Sequence, residues 1–85
     1  MYGVRHALAA EFPHFRHAIH RLKHEDPEFA RLLAEYDATD KRIYGLERRG
    51  LPLPHPQLAA LKRRRVALKD RLYRRIDEAL GARGP

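Results

Sequence analysis

The sequence predicts an all-α fold: an antiparallel coiled-coil hairpin of two long helices, preceded by a short N-terminal helix. Apolar residues recur at alternating steps of three and four along two stretches, which is the period of a coiled coil. Prolines and a glycine stand where such helices would begin and end. A connection of about six residues joins the two stretches, so the long helices must lie side by side and run in opposite directions.

Length and composition limit the chain to one small domain. Of its 85 residues, Leu, Ile, Val and Phe together account for 20. That share is just above the roughly 20% below which disorder is expected, so the core of a single chain would be thin. We expect one helical domain over residues 12–80. Residues 1–11 are predicted to be a flexible or frayed N-terminus, and residues 81–85 a disordered tail.

The first predicted helix covers about residues 13–24. Pro13 suits the first helical position, where the missing N–H has no helical partner to lose. The apolar residues that follow are three or four apart and mark one helical face: Phe15, Ala18, Ile19 and Leu22.

The second predicted helix covers about residues 27–49. Asp26 can cap its free N–H groups, and Pro27 fits the first position. Gly50 is placed to end it. Its seam follows steps of 3, 4, 3, 4 and 3: Phe29, Leu32, Tyr36, Thr39, Ile43 and Leu46.

The third predicted helix covers about residues 56–80. Three alternating prolines exclude helix from residues 51–56, which therefore form a stiff turn. No Ser, Thr, Asp or Asn precedes Pro56, so the start is weakly specified. Its seam has near-heptad spacing: Leu58, Leu61, Arg65, Leu68, Leu72, Ile76 and Ala79.

Two charged residues stand at seam positions, Asp40 in the second helix and Arg65 in the third. If the helices meet at the proline turn, antiparallel partners have residue numbers that add to about 105, which aligns these two residues. We expect them to form an ion pair that fixes the register, since sliding one helix would leave each charge facing leucine. The alternative is that each side chain extends separately to solvent.

One hairpin cannot bury every apolar stripe, so we expect a dimer or a larger homo-oligomer. The first helix could fold back on its own hairpin or pack on that of another chain. The predicted interaction seam consists of Phe15, Ile19, Leu22, Phe29, Leu32, Tyr36, Ile43, Leu61, Leu68, Leu72 and Ile76.

Short blocks of sequence resemble the YdcH-like proteins, over roughly residues 12–76. The most specific are Asp26-Pro27-x-Phe29 and Leu68-Lys69-Asp70. The resemblance implies a helical hairpin and a bacterial source. Members have no established biochemical role, so it supplies no catalytic residues. The proline-rich turn and the histidine-rich first helix depart from the usual pattern.

The four histidines of the first helix form one stripe opposite its apolar face. His20 and His24 have the i, i+4 spacing of two metal ligands, and His17 lies beside them. The other functional interpretation is a pH-sensing surface, since histidine titrates near neutrality. A solvated polar face explains the stripe more simply than either, because no cysteine and few carboxylates accompany it. We therefore predict no dedicated metal site and no cofactor.

The net charge of +7 is uneven along the chain. Residues 1–25 carry +2, residues 26–50 carry −1 and residues 51–85 carry +6. Phosphate contacts are conceivable on the last helix, but acidic residues interrupt its basic arc and no aromatic platform accompanies it. The candidate phosphate contacts are Arg63, Arg64, Arg71 and Arg74.

These observations predict a small helical module for protein–protein interaction and self-association, with a basic, nonspecific nucleic-acid-associated protein as the alternative. An enzyme is not expected, because catalysis needs groups that converge in a pocket and a small hairpin offers ridges. The chain has no cysteine or serine nucleophile. No apolar run reaches the roughly 20 residues of a membrane span, and we expect a cytoplasmic protein.

Overall fold

The protein is all-α in the computed structural model, which describes residues 5–52 and 54–82. No strand occurs in these two ranges. A 3-10 turn covers Pro13–Phe15, between the first two helices. The four helices are α1 (Leu8–Glu11), α2 (Arg16–Glu25), α3 (Pro27–Arg48) and α4 (Pro56–Ala82).

Helix α3 begins and ends at the signals that the sequence carries. The Asp26 carboxylate accepts hydrogen bonds from the backbone N–H of Glu28 at 3.0 Å and of Phe29 at 3.2 Å. These bonds satisfy two of the N–H groups that have no partner in the first turn. At the other end Gly50 has a φ of 65°, the left-handed conformation that closes many helices.

Helix α4 has a cap that the sequence analysis did not recognise. The His55 imidazole Nδ1 accepts a hydrogen bond from the Leu58 N–H at 3.2 Å, so the start is not left open. The helix extends through Ala82, which includes the first two residues of the predicted disordered tail. Residues 83–85 of that tail lie outside the described residues, as does Leu53 of the turn. None of the described helices is long and apolar enough to cross a bilayer.

Ion pairs at both ends show that α3 and α4 run antiparallel. Near the loop, Lys62 Nζ lies 2.9 Å from a carboxylate oxygen of Glu47. At the far end, Arg75 Nη2 lies 2.6 Å from Asp26 Oδ2. The molecule is a rod of 50 × 19 × 18 Å. Its most deeply buried apolar residues are Leu8, Leu32, Phe29, Tyr36, Ile43, Leu72 and Ile76.

The N-terminal segment is packed, whereas a flexible or frayed segment was expected for residues 1–11. Leu8 is 1% exposed and belongs to the main apolar core. It continues the spacing of Phe12, Phe15 and Ile19 by one step of four residues, so the apolar face begins before Pro13. Residues 1–4 lie outside the described part of the chain.

Helix α2 folds back on the hairpin of its own chain. Its buried residues Ala18, Ile19 and Leu22 join the same core as α3 and α4. Residues 5–25 therefore form a layer over the hairpin, which we call the N-terminal layer. The fold thus buries within one chain the first-helix face that could also have packed on another chain.

We predict that Leu8→Ala lowers the free energy of unfolding by about 2 kcal/mol, because truncating a buried leucine removes contacts and leaves a cavity. Urea denaturation followed by circular dichroism measures the change. Leu51→Ala, at a half-buried position in the interhelix loop, is the matched control and should cost clearly less. Equal effects of the two substitutions would mean that the N-terminal layer is not packed.

Candidate functional site

A fully buried carboxylate lies where α3, α4 and the N-terminal layer meet. Asp40 is 0% exposed. Arg65 Nη1 of α4 donates to Asp40 Oδ1 at 2.8 Å, so the structure brings together the two residues that the predicted register aligns. The other oxygen, Oδ2, accepts from Arg5 Nε at 2.7 Å and from the His6 N–H at 3.0 Å. We call these four residues the Asp40 cluster.

The cluster holds Asp40 in its charged form. Burial alone would raise the pKa of the Asp40 carboxyl, but the hydrogen bonds from Arg5, the His6 N–H and Arg65 outweigh it and keep the pKa below its usual range. A carboxylate already bonded to three donors and shielded from solvent is poorly placed to exchange protons with a substrate. Its arrangement is that of a structural clamp.

Two further contacts fasten the N-terminal layer beside this clamp. The buried Tyr36 hydroxyl donates to the His6 carbonyl at 2.5 Å. Burial raises the pKa of Tyr36 to about 12, so the phenol stays a donor at neutral pH. Glu11 Oε1 accepts from Lys69 Nζ at 3.2 Å. Sequence reasoning missed these contacts because it left residues 1–11 without structure.

Two of the four arginines predicted as phosphate contacts lie within ion-pair distance of carboxylates of α3. Arg64 Nη2 lies 3.4 Å from Glu35, and Arg71 Nη2 lies 3.8 Å from Glu28. Both are thereby directed towards α3. All four arginines are exposed on α4, and Arg63 and Arg74 have no carboxylate within ion-pair distance in the described chain.

The histidine stripe lies on the surface of the N-terminal layer. His14, His17, His20 and His24 are all exposed. The rings of His20 and His24 meet edge to face with centroids 4.7 Å apart. Among the described residues, no group of three histidines or carboxylates could hold a metal ion, and His17 therefore does not complete a site with the pair.

Most of the predicted interaction seam is buried inside one chain, so these residues form the core of the fold and not an interface between chains. Nine of the eleven residues are buried at 8% exposure or less. Phe15 and Leu61 are half-buried. The seam is buried within the chain because α2 covers the groove between α3 and α4. The nine buried residues are Ile19, Leu22, Phe29, Leu32, Tyr36, Ile43, Leu68, Leu72 and Ile76.

A second apolar stripe, which the sequence analysis missed, lies on the outer side of α4. Val66 is 52% exposed, Tyr73 41% and Leu80 38%, and they follow one another at intervals of seven residues. We call these three residues the outer stripe. The Tyr73 ring also contacts Phe12 and Phe15, with centroids 5.4 and 6.0 Å apart. The seven-residue spacing of Val66, Tyr73 and Leu80 is the signal in the sequence from which the outer stripe could have been predicted.

Folding of the hairpin gathers the positive charge at one end of the rod. The loop half of the hairpin, residues 41–64, contains seven basic residues and one acidic residue, a net charge of +6. The whole chain carries +7. Counting charge along thirds of the sequence hid this, because the turn joins the basic end of α3 to the basic start of α4.

Comparison with known proteins places the chain in a family. A family model described as "Protein of unknown function (DUF465)" matches residues 29–76, more than half of the chain. The chain belongs to the DUF465 family. The DUF465 match spans most of α3 and α4, including both Asp40 and Arg65. No curated protein and no solved structure matches the chain. The narrower resemblance to YdcH-like proteins and the bacterial source stay predictions.

We predict that Asp40→Asn lowers the free energy of unfolding by about 3 kcal/mol, because it leaves the arginines of the cluster without their anionic partner. Chemical denaturation measures the loss. Asp77→Asn makes the same change at an exposed position of α4 and should alter stability by less than about 0.5 kcal/mol. A parent-like Asp40→Asn protein would contradict the clamp.

Stability should depend on pH at both extremes. The Arg75 guanidinium lowers the pKa of Asp26, and the Asp40 cluster lowers that of Asp40. Their contribution is therefore complete above the ordinary carboxyl pKa of about 4 and is lost as the pH falls below it. The raised pKa of Tyr36 predicts a second loss above about pH 10. Thermal denaturation from pH 2 to 11 measures both limbs, and Asp40→Asn should flatten the acid one.

Proposed function

We propose that this DUF465 protein is a non-enzymatic helical module that self-associates through the outer stripe of α4. The observation that carries the proposal is the seven-residue spacing of exposed Val66, Tyr73 and Leu80. A helix that is apolar on two sides is suited to packing on two sides. The inner side of α4 is already occupied by α3 and the N-terminal layer, which leaves the outer stripe for a partner.

A second copy of this chain fits the stripe. Seven-residue apolar spacing is the pattern that another helix with the same spacing complements, and the α4 of a second copy has it. A two-fold axis would bring the same surface of both copies together, the commonest arrangement of small homo-oligomers. Half-buried Phe12 and Phe15 extend the apolar surface beside Tyr73.

Charge on the two sides of the stripe also supports a second copy. Asp70 and Asp77 flank it on one side. Lys62 and Lys69, which pair with Glu47 and Glu11 of their own chain, flank it on the other. In a parallel pair of α4 helices related by a two-fold axis, the basic side of each helix faces the acidic side of its partner. This is the pattern of charged flanking positions that sets orientation in coiled coils.

We predict that Val66→Glu weakens self-association by about tenfold or more, because a dimer would bury the new carboxylate without a dedicated partner. Light scattering of the full chain over a range of concentrations measures it. Ala67→Glu adds the same charge at an exposed position about 100° further round the helix and should leave association unchanged.

Val66 is more than half exposed, so its substitution should leave the helical circular-dichroism spectrum unaltered. A wild-type chain that stays monomeric up to about millimolar concentration, where even weak dimers form, would contradict the proposal. So would equal loss of association in both variants.

A further inference from the structure

We propose that the outward face of α3 around Gly45 binds the phosphate backbone of double-stranded nucleic acid. The site consists of Gly45 and the four cations that surround it, Lys41, Arg42, Arg48 and Arg49, and we call it the Gly45 face. It differs from the outer stripe of α4 and from the four arginines that the sequence analysis singled out.

Helical geometry builds the ring of cations. Lys41 and Arg42 precede Gly45 by four and three residues, and Arg48 and Arg49 follow it by three and four. Residues at these spacings are the surface neighbours of the central residue, so all four cations border the glycine. Lys41 lies seven residues before Arg48, and Arg42 lies seven residues before Arg49, which is a rise of roughly 10 Å along the helix.

The fold itself gives no reason for a glycine at this position. Gly45 is exposed, its φ is not positive, and a Cβ there would meet nothing within 4 Å. An exposed glycine inside a helix costs about 1 kcal/mol relative to alanine. Arg42, Gly45, Leu46 and Arg49 line an open cavity of about 290 Å³ on this face. A missing side chain between cations lets a large anionic group approach the helix closely.

Among the residues that the structure describes, the cations of the Gly45 face have no carboxylate partner. In the described part of the molecule, no carboxylate lies within ion-pair distance of Lys41, Arg42, Arg48 or Arg49. Arg48 instead lies over the Tyr44 ring, 5.6 Å from its centroid. The face also belongs to the loop half of the hairpin, which carries +6 of the net charge.

The chemistry of the face favours the backbone of a duplex. The large apolar residues that are exposed in the described chain are the three of the outer stripe on α4, so the Gly45 face has none to insert into a lipid surface. Tyr44, the aromatic residue nearest to Gly45, is half-buried and covered by Arg48, which leaves no stacking platform for unpaired bases. Cations alone recognise phosphates without reading sequence.

Fluorescence anisotropy with a labelled 20-base-pair DNA duplex tests the proposal, using the full chain from 25 to 200 mM NaCl. We expect a plot of log Kd against the logarithm of the salt concentration to have a slope of about four, which is near the value for four phosphate contacts. Arg42→Gln/Arg49→Gln should weaken binding about tenfold and reduce the slope by about two. The control Arg16→Gln/Arg74→Gln removes the same charge from exposed positions outside the loop half and should keep binding within twofold of wild type, about 0.4 kcal/mol.

A second pair of variants tests the gap between the cations at constant charge. Gly45→Leu fills it and should weaken duplex binding severalfold while raising the melting temperature, since leucine is a better helix former. Ala38→Leu, on the same outward side of α3, should leave binding unchanged. The proposal would be overturned if the wild-type chain did not bind the duplex at 25 mM NaCl, or if it bound phosphatidylserine vesicles equally well. It would also be overturned if both double arginine variants lost the same duplex affinity, or if Gly45→Leu bound the duplex as well as wild type.

Discussion

The buried carboxylate of Asp40 is the constraint on which the rest of the molecule depends. A charge without solvent contact must be matched inside the protein, and Asp40 is matched by groups from two separate segments. Arg65 of α4 pairs with Asp40 of α3 at the register that the sequence predicts. Arg5 and the His6 N–H attach the N-terminal layer at the same level. One residue therefore links hairpin register to the position of the layer that completes the core.

That arrangement separates the surface into regions with different chemistry. At the end of the rod opposite the loop, Asp26 pairs with Arg75, and nearer the middle Glu11 of the N-terminal layer pairs with Lys69 of α4. In the ranges that the structure describes, no carboxylate pairs with the cations of the Gly45 face, and the loop half carries most of the net charge. Since α2 covers the inner seam, the large exposed apolar residues of the described chain are those of the outer stripe of α4.

Much of the fold could be predicted from the sequence because the signals that specify it are local. Asp26, Pro27 and Gly50 mark the ends of α3 through capping chemistry, and the three-and-four spacing marks both long helices. The packing of the N-terminal segment could not be predicted in the same way. Its order comes from contacts some 35 residues away, between Arg5 and Asp40, which no local propensity encodes. The Gly45 face was hidden for a related reason, since summing charge along the chain ignores which residues border one another on a helix.

Residue-resolved hydrogen exchange of the His6 amide tests the central claim most directly. This N–H lies outside every helix and donates to Asp40, so its protection reports the clamp itself. We predict clear protection of His6 in the wild-type chain at neutral pH. In Asp40→Asn the protection should be lost while amides in the middle of α3 remain protected. A His6 amide that exchanges at the rate of an unstructured peptide in the wild-type chain would contradict the claim that Asp40 holds the N-terminal layer to the hairpin.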